Sequence, residues 1–314
     1  MRVMRDFFQI PSINGEDIVK GVRYLPDGME PVGIVQFSHG MVEHIGRYEN
    51  VMIFLAQHGF AVYGHDHLGH GATASKAERL GYFAAENGAQ CLIEDVYQVT
   101  QRAQKDFPNL PVTLVGHSMG SLVARLYCQK HADSLKRAVF VGTPAKNDLA
   151  GLGLKIAKTM KEKKGSFYRS SLLDKLTLGS MNRGIKKPRT PKDWLSRDIK
   201  KVEENLADPF CNFIFTTSAF ADLYDMTIQA NSKSWFESFP KALPVYLLAG
   251  DADPVGRYGK GVQEIYQNLK EAGVKKVWIK RYPDARHELF QEINRQEVLL
   301  DLLEILSGMK EQEE

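Results

Sequence analysis

The sequence predicts an α/β protein: an open, mostly parallel central sheet with helices on both faces and one helical insertion. The expectation rests on a rhythm, a break in that rhythm and a charge asymmetry. Short apolar runs separated by amphipathic stretches fill residues 32–144 and resume near residue 241, the pattern of parallel strands joined by crossover helices. Residues 145–240 hold nothing that reads as a buried strand. From Lys146 to Lys201, sixteen Lys and Arg stand against five Asp and Glu, while the whole chain carries only +3, so a basic insert sits on an acidic body. Residues 1–144 and 241–314 are therefore read as the core and 145–240 as an insertion.

Taken in order, "FFQI" and "DIVKGVRYL" read as edge strands around a turn at Asn14-Gly15, and Pro26-Asp27-Gly28 marks the next turn. The apolar run from Val32 to Phe37 is a strand that stops at His39-Gly40. Val51, Phe54 and Leu55 follow at helical spacing, with Gly59 as the stop, and "FAVYGHD" is again a buried-type strand. Residues 88–106 put Cys91, Leu92, Val96, Val99 and Ala103 on one helical face. "PVTLVGH", "SLVARLYCQKH" and "KRAVFVGTP" give strand, helix and strand. After the insertion come the strand "PVYLLAGD", a helix through "GKGVQEIYQNLKEAG", the strand "KKVWIKRYP" and a final helix from Leu289 to Leu306.

Bulk properties exclude several classes. No run approaches the roughly 18 apolar residues of a membrane span, and the N-terminus lacks the apolar region of a secretory signal. Cys91, Cys128 and Cys211 are widely and irregularly spaced, which argues against a disulfide framework or a zinc site and fits a reducing cytoplasm. The lysines cluster in the insert rather than in a nucleic-acid-binding module, and no phosphate cradle or organic-cofactor motif is present.

Ligands of such sheets bind beyond the carboxyl ends of the strands, and the polar clusters fall there. Gly116-His117-Ser118-Met119-Gly120 fits G-x-S-x-G between a strand and a helix, the context in which this turn presents a nucleophilic hydroxyl. The bland alternative is a serine that caps the helix. A hydroxyl attacks only with a base and an orienting acid, which follow the serine in this kind of fold. Two of the nine histidines lie after Ser118: His131, which ends the next helix and reads as a helix-terminal charge, and His287, in the loop after the last strand. The acid comes from "AGDADPVG": Asp253, before Pro254, is favoured by turn chemistry, with Asp251 as the fallback. The backbone N–H groups of Met119 and of Met41, after His39-Gly40, are the expected oxyanion donors.

Ser118 in "GHSMG", "HGMVEH", "GHDHLGHG", "DADP" and "RHE" together resemble the α/β-hydrolases of the monoacylglycerol lipase, lysophospholipase and serine aminopeptidase S33 type, over about residues 30–144 and 240–305. The resemblance implies a serine hydrolase with Ser118, Asp253 and His287 as triad, Met41 and Met119 as oxyanion donors, no cofactor and a cap domain over 145–240. Val42 departs from the small residue that many such enzymes carry there, and the insert matches no cap sequence closely.

Other readings compete. His65, His67 and His70 suggest a metal motif, but Gly69 stands where an aspartate is needed; the alternative is a loop packed beneath the oxyanion turn through Asp66, with Glu43, His44 and Arg47 as a polar network. Epoxide hydrolases and dehalogenases use a carboxylate where Ser118 stands; a non-catalytic binding protein is the remaining option. In the insert, Leu149, Leu152, Ile156 and Met160 share one helical face amid lysines, fit for a lid over the site or for a transient contact with an anionic membrane surface, the lid being favoured. Phe167, Trp194, Phe210, Phe213, Phe215, Phe220, Tyr224 and Trp235 offer apolar area for an acyl pocket. The expected substrates are small or lipid-like carboxylic esters (monoacylglycerols, lysophospholipids or short-acyl esters), with amide cleavage as the runner-up.

Overall fold

A computed structural model describes residues 2–308; the expected core segments extend past these by Met1 and by residues 309–314. Eight strands, β1 (Val3–Pro11), β2 (Ile18–Pro26), β3 (Gly33–Ser38), β4 (Phe60–His65), β5 (Val112–His117), β6 (Arg137–Val141), β7 (Val245–Gly250) and β8 (Val277–Tyr282), form one sheet in the order β1-β2-β4-β3-β5-β6-β7-β8. β1 pairs antiparallel with β2, and β2 with β4; the other neighbours are parallel. The helices are α1 (Glu49–Gln57), α2 (Gly88–Asp106), α3 (Met119–His131), α4 (Ala150–Lys164), α5 (Ser171–Leu178), α6 (Ile199–Ala207), α7 (Thr217–Ala230), α8 (Lys233–Ser238), α9 (Lys260–Glu271) and α10 (Arg295–Ser307).

Strands β3 to β7 are buried along their whole length, which is why they read as unbroken apolar runs. Successive side chains point to opposite faces. Leu114, Phe140 and Leu247 pack with Leu92, Val96, Leu122 and Ile265 of α2, α3 and α9. Val115, Val139 and Leu248 pack with Leu55 and Leu302 of α1 and α10. The edge strand β1 is mostly exposed and carries Arg5 and Asp6, charges that discourage edge-to-edge pairing.

Two expected details differ. The final helix does not begin at Leu289: a short 3-10 turn spans Leu289–Gln291, and α10 starts at Arg295. Glu292 is extended there, and its carboxylate accepts the backbone N–H groups of Arg197, Arg286 and Ile293, which holds the chain out of the helix. In the insert, α4 packs on α7 through Ala150, Gly153 and Ala157 rather than through the expected leucine face. A Cβ on Gly153 would lie 2.5 Å from the Tyr224 ring, so small residues set this close approach. Ile156 and Met160 are half-buried, but Leu149 and Leu152 stay 68% and 58% exposed. The only β pairing among the described residues of the insert is an isolated bridge between Arg169 and Thr216. No described helix is long and apolar enough to cross a membrane.

Candidate active site

β5 ends at His117, α3 begins at Met119, and Ser118 is the whole turn between them. It holds φ +51 and ψ −122, a conformation that costs an L-residue of order 1–3 kcal/mol and persists only where the surroundings impose it. They do so here: a Cβ on Gly120 would fall 2.1 Å from the Ser38 carbonyl oxygen, so only glycine lets α3 approach β3 this closely. Ser118 donates its backbone N–H to the Val141 carbonyl at 3.0 Å. The turn thereby presents its side chain at the carboxyl edge of the sheet, and no side-chain cap bond is made by Ser118 to α3.

The loop after β8 brings His287 to Asp253, with Nδ1 2.9 Å from Oδ2 and both groups buried. Asp251, the fallback, instead accepts from Arg281 Nε at 2.6 Å and fastens the loop to the neighbouring strand. Asp253 is fixed in turn by the Val255 N–H at 2.8 Å. Trp194 of the insert lies against the His287 ring with centroids 5.1 Å apart, and its carbonyl accepts the His287 N–H. Ser118, His287, Met41 and Met119 all line one cavity of about 850 Å3, which insert residues including Leu178, Met181 and Tyr224 also line. His131 is elsewhere, at the end of α3, stacked on Tyr97 and 3.1 Å from Glu94.

The turn that carries Met41 is held from beneath by two kinds of buried histidine. Asp66 accepts the N–H groups of Ile45 and Ala72 at 2.8 and 2.7 Å, the structural role expected of that loop. His70 Nε2 accepts from the Val42 N–H at 3.2 Å and so holds a β-branched residue at φ +55. His67 Nε2 meets Ser38 Oγ at 2.9 Å. Burial, helped at His39 and His67 by neighbouring histidines and only partly opposed by Glu43 at His67 and His70, pushes His65 and His70 down to about 4 and His39 and His67 well below the ordinary value, which favours neutral imidazoles.

His117, immediately before the serine, is the opposite case and was missed in the sequence. Burial works against its charge, but Glu43 lies 3.0 Å from its Nδ1 and raises its pKa. Burial also opposes the Glu43 charge, yet His117 and Arg47 hold that carboxylate well below its usual range. The same Glu43 oxygen accepts from Tyr48 Oη at 2.7 Å and from the Gly40 N–H. Arg47 continues to Glu288 at 2.6 Å. His117 Nε2 faces the His287 carbonyl at 3.3 Å, so one buried ion pair joins the serine turn, the turn that carries Met41 and the histidine loop. The signal available was Glu43, His44 and Arg47 in "VEHIGR"; the partner, 74 residues on, was not legible.

The acyl-pocket aromatics divide. Trp194 and Tyr224 line the cavity. Phe215, Phe220 and Trp235 are buried in the packing beneath, Phe213 is half-buried against it, and Phe167 and Phe210 are exposed. Aromatic area is more often recruited by a core than by a pocket, and α7 and α8 build core: Trp235 Nε1 donates to the Arg125 carbonyl of α3 at 3.1 Å.

A mostly parallel sheet whose fifth strand turns on a strained serine, with a histidine on the same cavity paired to an aspartate and both carried in the loops after its last two strands, defines an α/β-hydrolase. The chain belongs to the serine aminopeptidase S33 family, which it matches over residues 29–294. It is similar to a highly thermostable carboxyl esterase from Bacillus coagulans, solved in complex with glycerol: 32% identity, TM-score 0.91, covering 97% of this chain and 98% of that one. The monoacylglycerol lipase of Mycolicibacterium smegmatis is 27% identical over 294 residues, 93% of each chain. Human monoglyceride lipase is 28% identical over 282 residues, 87% of this chain and 84% of that one.

Proposed function

We propose that the protein is a serine hydrolase that cleaves carboxylic esters of small or lipid-like alcohols through an acyl-enzyme. His287, oriented by Asp253 on Nδ1, takes the Ser118 proton on Nε2 as Oγ attacks the ester carbonyl. The N–H groups of Met41 and Met119 hold the oxyanion; losing one such donor typically costs about 2.7–4 kcal/mol of transition-state stabilisation. His287 then gives its proton to the leaving alcohol. Water, deprotonated by His287 in turn, releases the carboxylic acid and restores Ser118. The observation that carries this reading is His287, paired behind the wall with buried Asp253, lining the same cavity as the strained Ser118.

Esters rank ahead of aminoacyl amides because an aminopeptidase needs a free carboxylate for the substrate's ammonium. Of the four acids that line the cavity, Glu43 is engaged by His117 and Tyr48, Glu288 by Arg47 and the exposed Asp148 by Lys146 at 3.6 Å, while burial raises the Asp174 pKa and so disfavours its charged form. The esterase and the two monoacylglycerol lipases among the relatives support the same ranking. The segment 145–240 acts as the cap of this cavity, and Leu178, Met181, Leu223 and Tyr224 on its inner side form the wall for an acyl chain. Exposed Leu149, Leu152, Leu172 and Leu176 on α4 and α5, among the lysines of the insert, suit transient contact with an anionic lipid surface. Three buried thiols, none in a disulfide, support residence in a reducing compartment such as the cytoplasm.

The test is a chain-length series of p-nitrophenyl esters and monoacylglycerols run beside aminoacyl-p-nitroanilides. The expected result is ester turnover with an optimum in chain length. Faster turnover of the anilides reverses the assignment of bond type.

A further inference from the structure

Outside the Ser118 site, metal-ligating side chains converge at one place among the described residues: a ring nitrogen of His44, a carboxylate oxygen of Asp208 and Sγ of Cys211 lie within 4.8 Å of one another. We propose that these three side chains form a binding site for a thiophilic divalent cation of the zinc class, in the seam between the oxyanion turn and the insert.

The local fold builds the donor set from two directions. Asp208 caps the 3-10 turn Pro209–Cys211, and the spacing of three residues puts Asp208 and Cys211 on one side of it. Asp208 Oδ1 takes the Phe210 N–H at 2.8 Å, which directs Oδ2 to His44 Nε2 at 2.8 Å. The edge of Phe210 against the His44 ring, centroids 5.8 Å apart, fixes the imidazole. Ligand atoms of a tetrahedral zinc stand roughly 3.3–3.8 Å apart, given bond lengths of about 2.0–2.3 Å. The observed cluster therefore needs only the His44–Asp208 hydrogen bond to open and the thiol to approach. His44 and Asp208 are 21% and 25% exposed, which gives an ion an entry path and a fourth position for water, while Cys211 closes the inner side.

Charge and softness select the ion. Imidazole, carboxylate and thiolate together offset a dication, and the thiol proton leaves to solvent as the metal binds. Arg47 stands close enough to act on Cys211, and Lys192 donates to the Cys211 carbonyl at 2.5 Å. These cations oppose any dication, so an ion must be held by bonds to sulfur and imidazole, which the hard ions Mg2+ and Ca2+ do not favour. An ion here would tie His44, three residues past Met41, to the insert. Its loading should brace the cap against the oxyanion turn and slow turnover; that consequence alone rests on the proposed hydrolysis.

The experiment titrates the metal-depleted full chain with Co2+ and then Zn2+. The wild type should bind one equivalent of Co2+ with a thiolate-to-cobalt charge-transfer band that Zn2+ abolishes. Cys211→Ala should lose the band. His44→Gln, at a partly exposed position and able to keep a hydrogen bond to Asp208, should weaken Co2+ binding at least tenfold. Absence of the band from wild type, or its survival in Cys211→Ala, overturns the site. Zn2+ that fills the site without slowing p-nitrophenyl ester turnover overturns the brace. The spectral readout does not use activity, so failure of the hydrolase reading is distinguishable from failure of the site.

Discussion

The two walls of the cavity are built on different principles. On the sheet side, strands buried on both faces end in turns whose polar groups are engaged with one another: Asp253 with His287, Glu43 with His117, Asp66 with the backbone of residues 45 and 72. On the insert side, α4 meets α7 through Ala150, Gly153 and Ala157, while Leu152, Leu172 and Leu176 are exposed and Leu178 and Leu223 line the cavity. The first wall tolerates no rearrangement without stranding a buried charge. The second is held by apolar packing and steric fit, with few buried charges. On the proposed function, chemistry belongs to this rigid sheet wall and substrate choice to the insert wall.

That division is broken or sharpened by substitution. The largest effect is expected at Asp253→Asn, which leaves the geometry but favours the wrong His287 tautomer: kcat should fall on the order of 10^4-fold on every ester, with KM little changed. Steady-state kinetics over several chain lengths checks it; a loss confined to long esters would contradict the division. Glu43→Gln comes next. It strands the buried His117 charge, at about 3–5 kcal/mol of unfolding free energy by urea titration, and loosens the oxyanion turn, at about 10^2-fold in kcat.

Within the rigid wall the two kinds of histidine predict opposite pH responses. His65 and His70 sit at about 4 in the fold against 6.5 unfolded, so between those values the unfolded chain binds the extra protons. Their contribution is complete above 6.5 and drains as pH falls towards 4, by about 1.4 kcal/mol per pH unit for each ring. The folded value of His117 is raised, so its contribution is complete below 6.5 and is lost as pH rises through that raised value. Chemical unfolding across pH 4–8 should therefore show a steep acid limb, and His117→Gln should flatten only the alkaline side.

The smallest effects belong to the insert. Leu178→Ala with Met181→Ala should shift the preferred acyl length and raise KM for long esters about tenfold, leaving kcat on acetyl esters intact. Leu152→Ser with Leu172→Ser, at exposed positions away from the cavity, should leave soluble esters untouched and lower turnover only on vesicle-borne substrate. Equal losses on both substrates would mean that these leucines shape the site itself.

Much of the rigid wall was legible because its signals are local. Apolar runs mark β3 to β7, glycines flank Ser118, and Pro254 follows Asp253. Asp66 could be read as a structural anchor from its own loop. The ion pair between Glu43 and His117 and the contact of Trp194 with His287 join distant segments and leave no periodicity to read. The packing face of α4 was misread for a related reason: its leucines promised burial, but Gly153 and the Tyr224 ring decide which side meets α7. Hydrophobicity fixes how much of a helix wants cover, and steric fit fixes where.

The central claim is that Ser118, activated by His287, attacks an acyl or phosphonyl centre. Incubation with a fluorophosphonate probe followed by peptide mass spectrometry tests it most directly. One adduct, on the peptide containing Ser118, absent from Ser118→Ala and strongly slowed in His287→Ala, is the predicted result. An unlabelled wild type, or labelling that persists in Ser118→Ala, would contradict it.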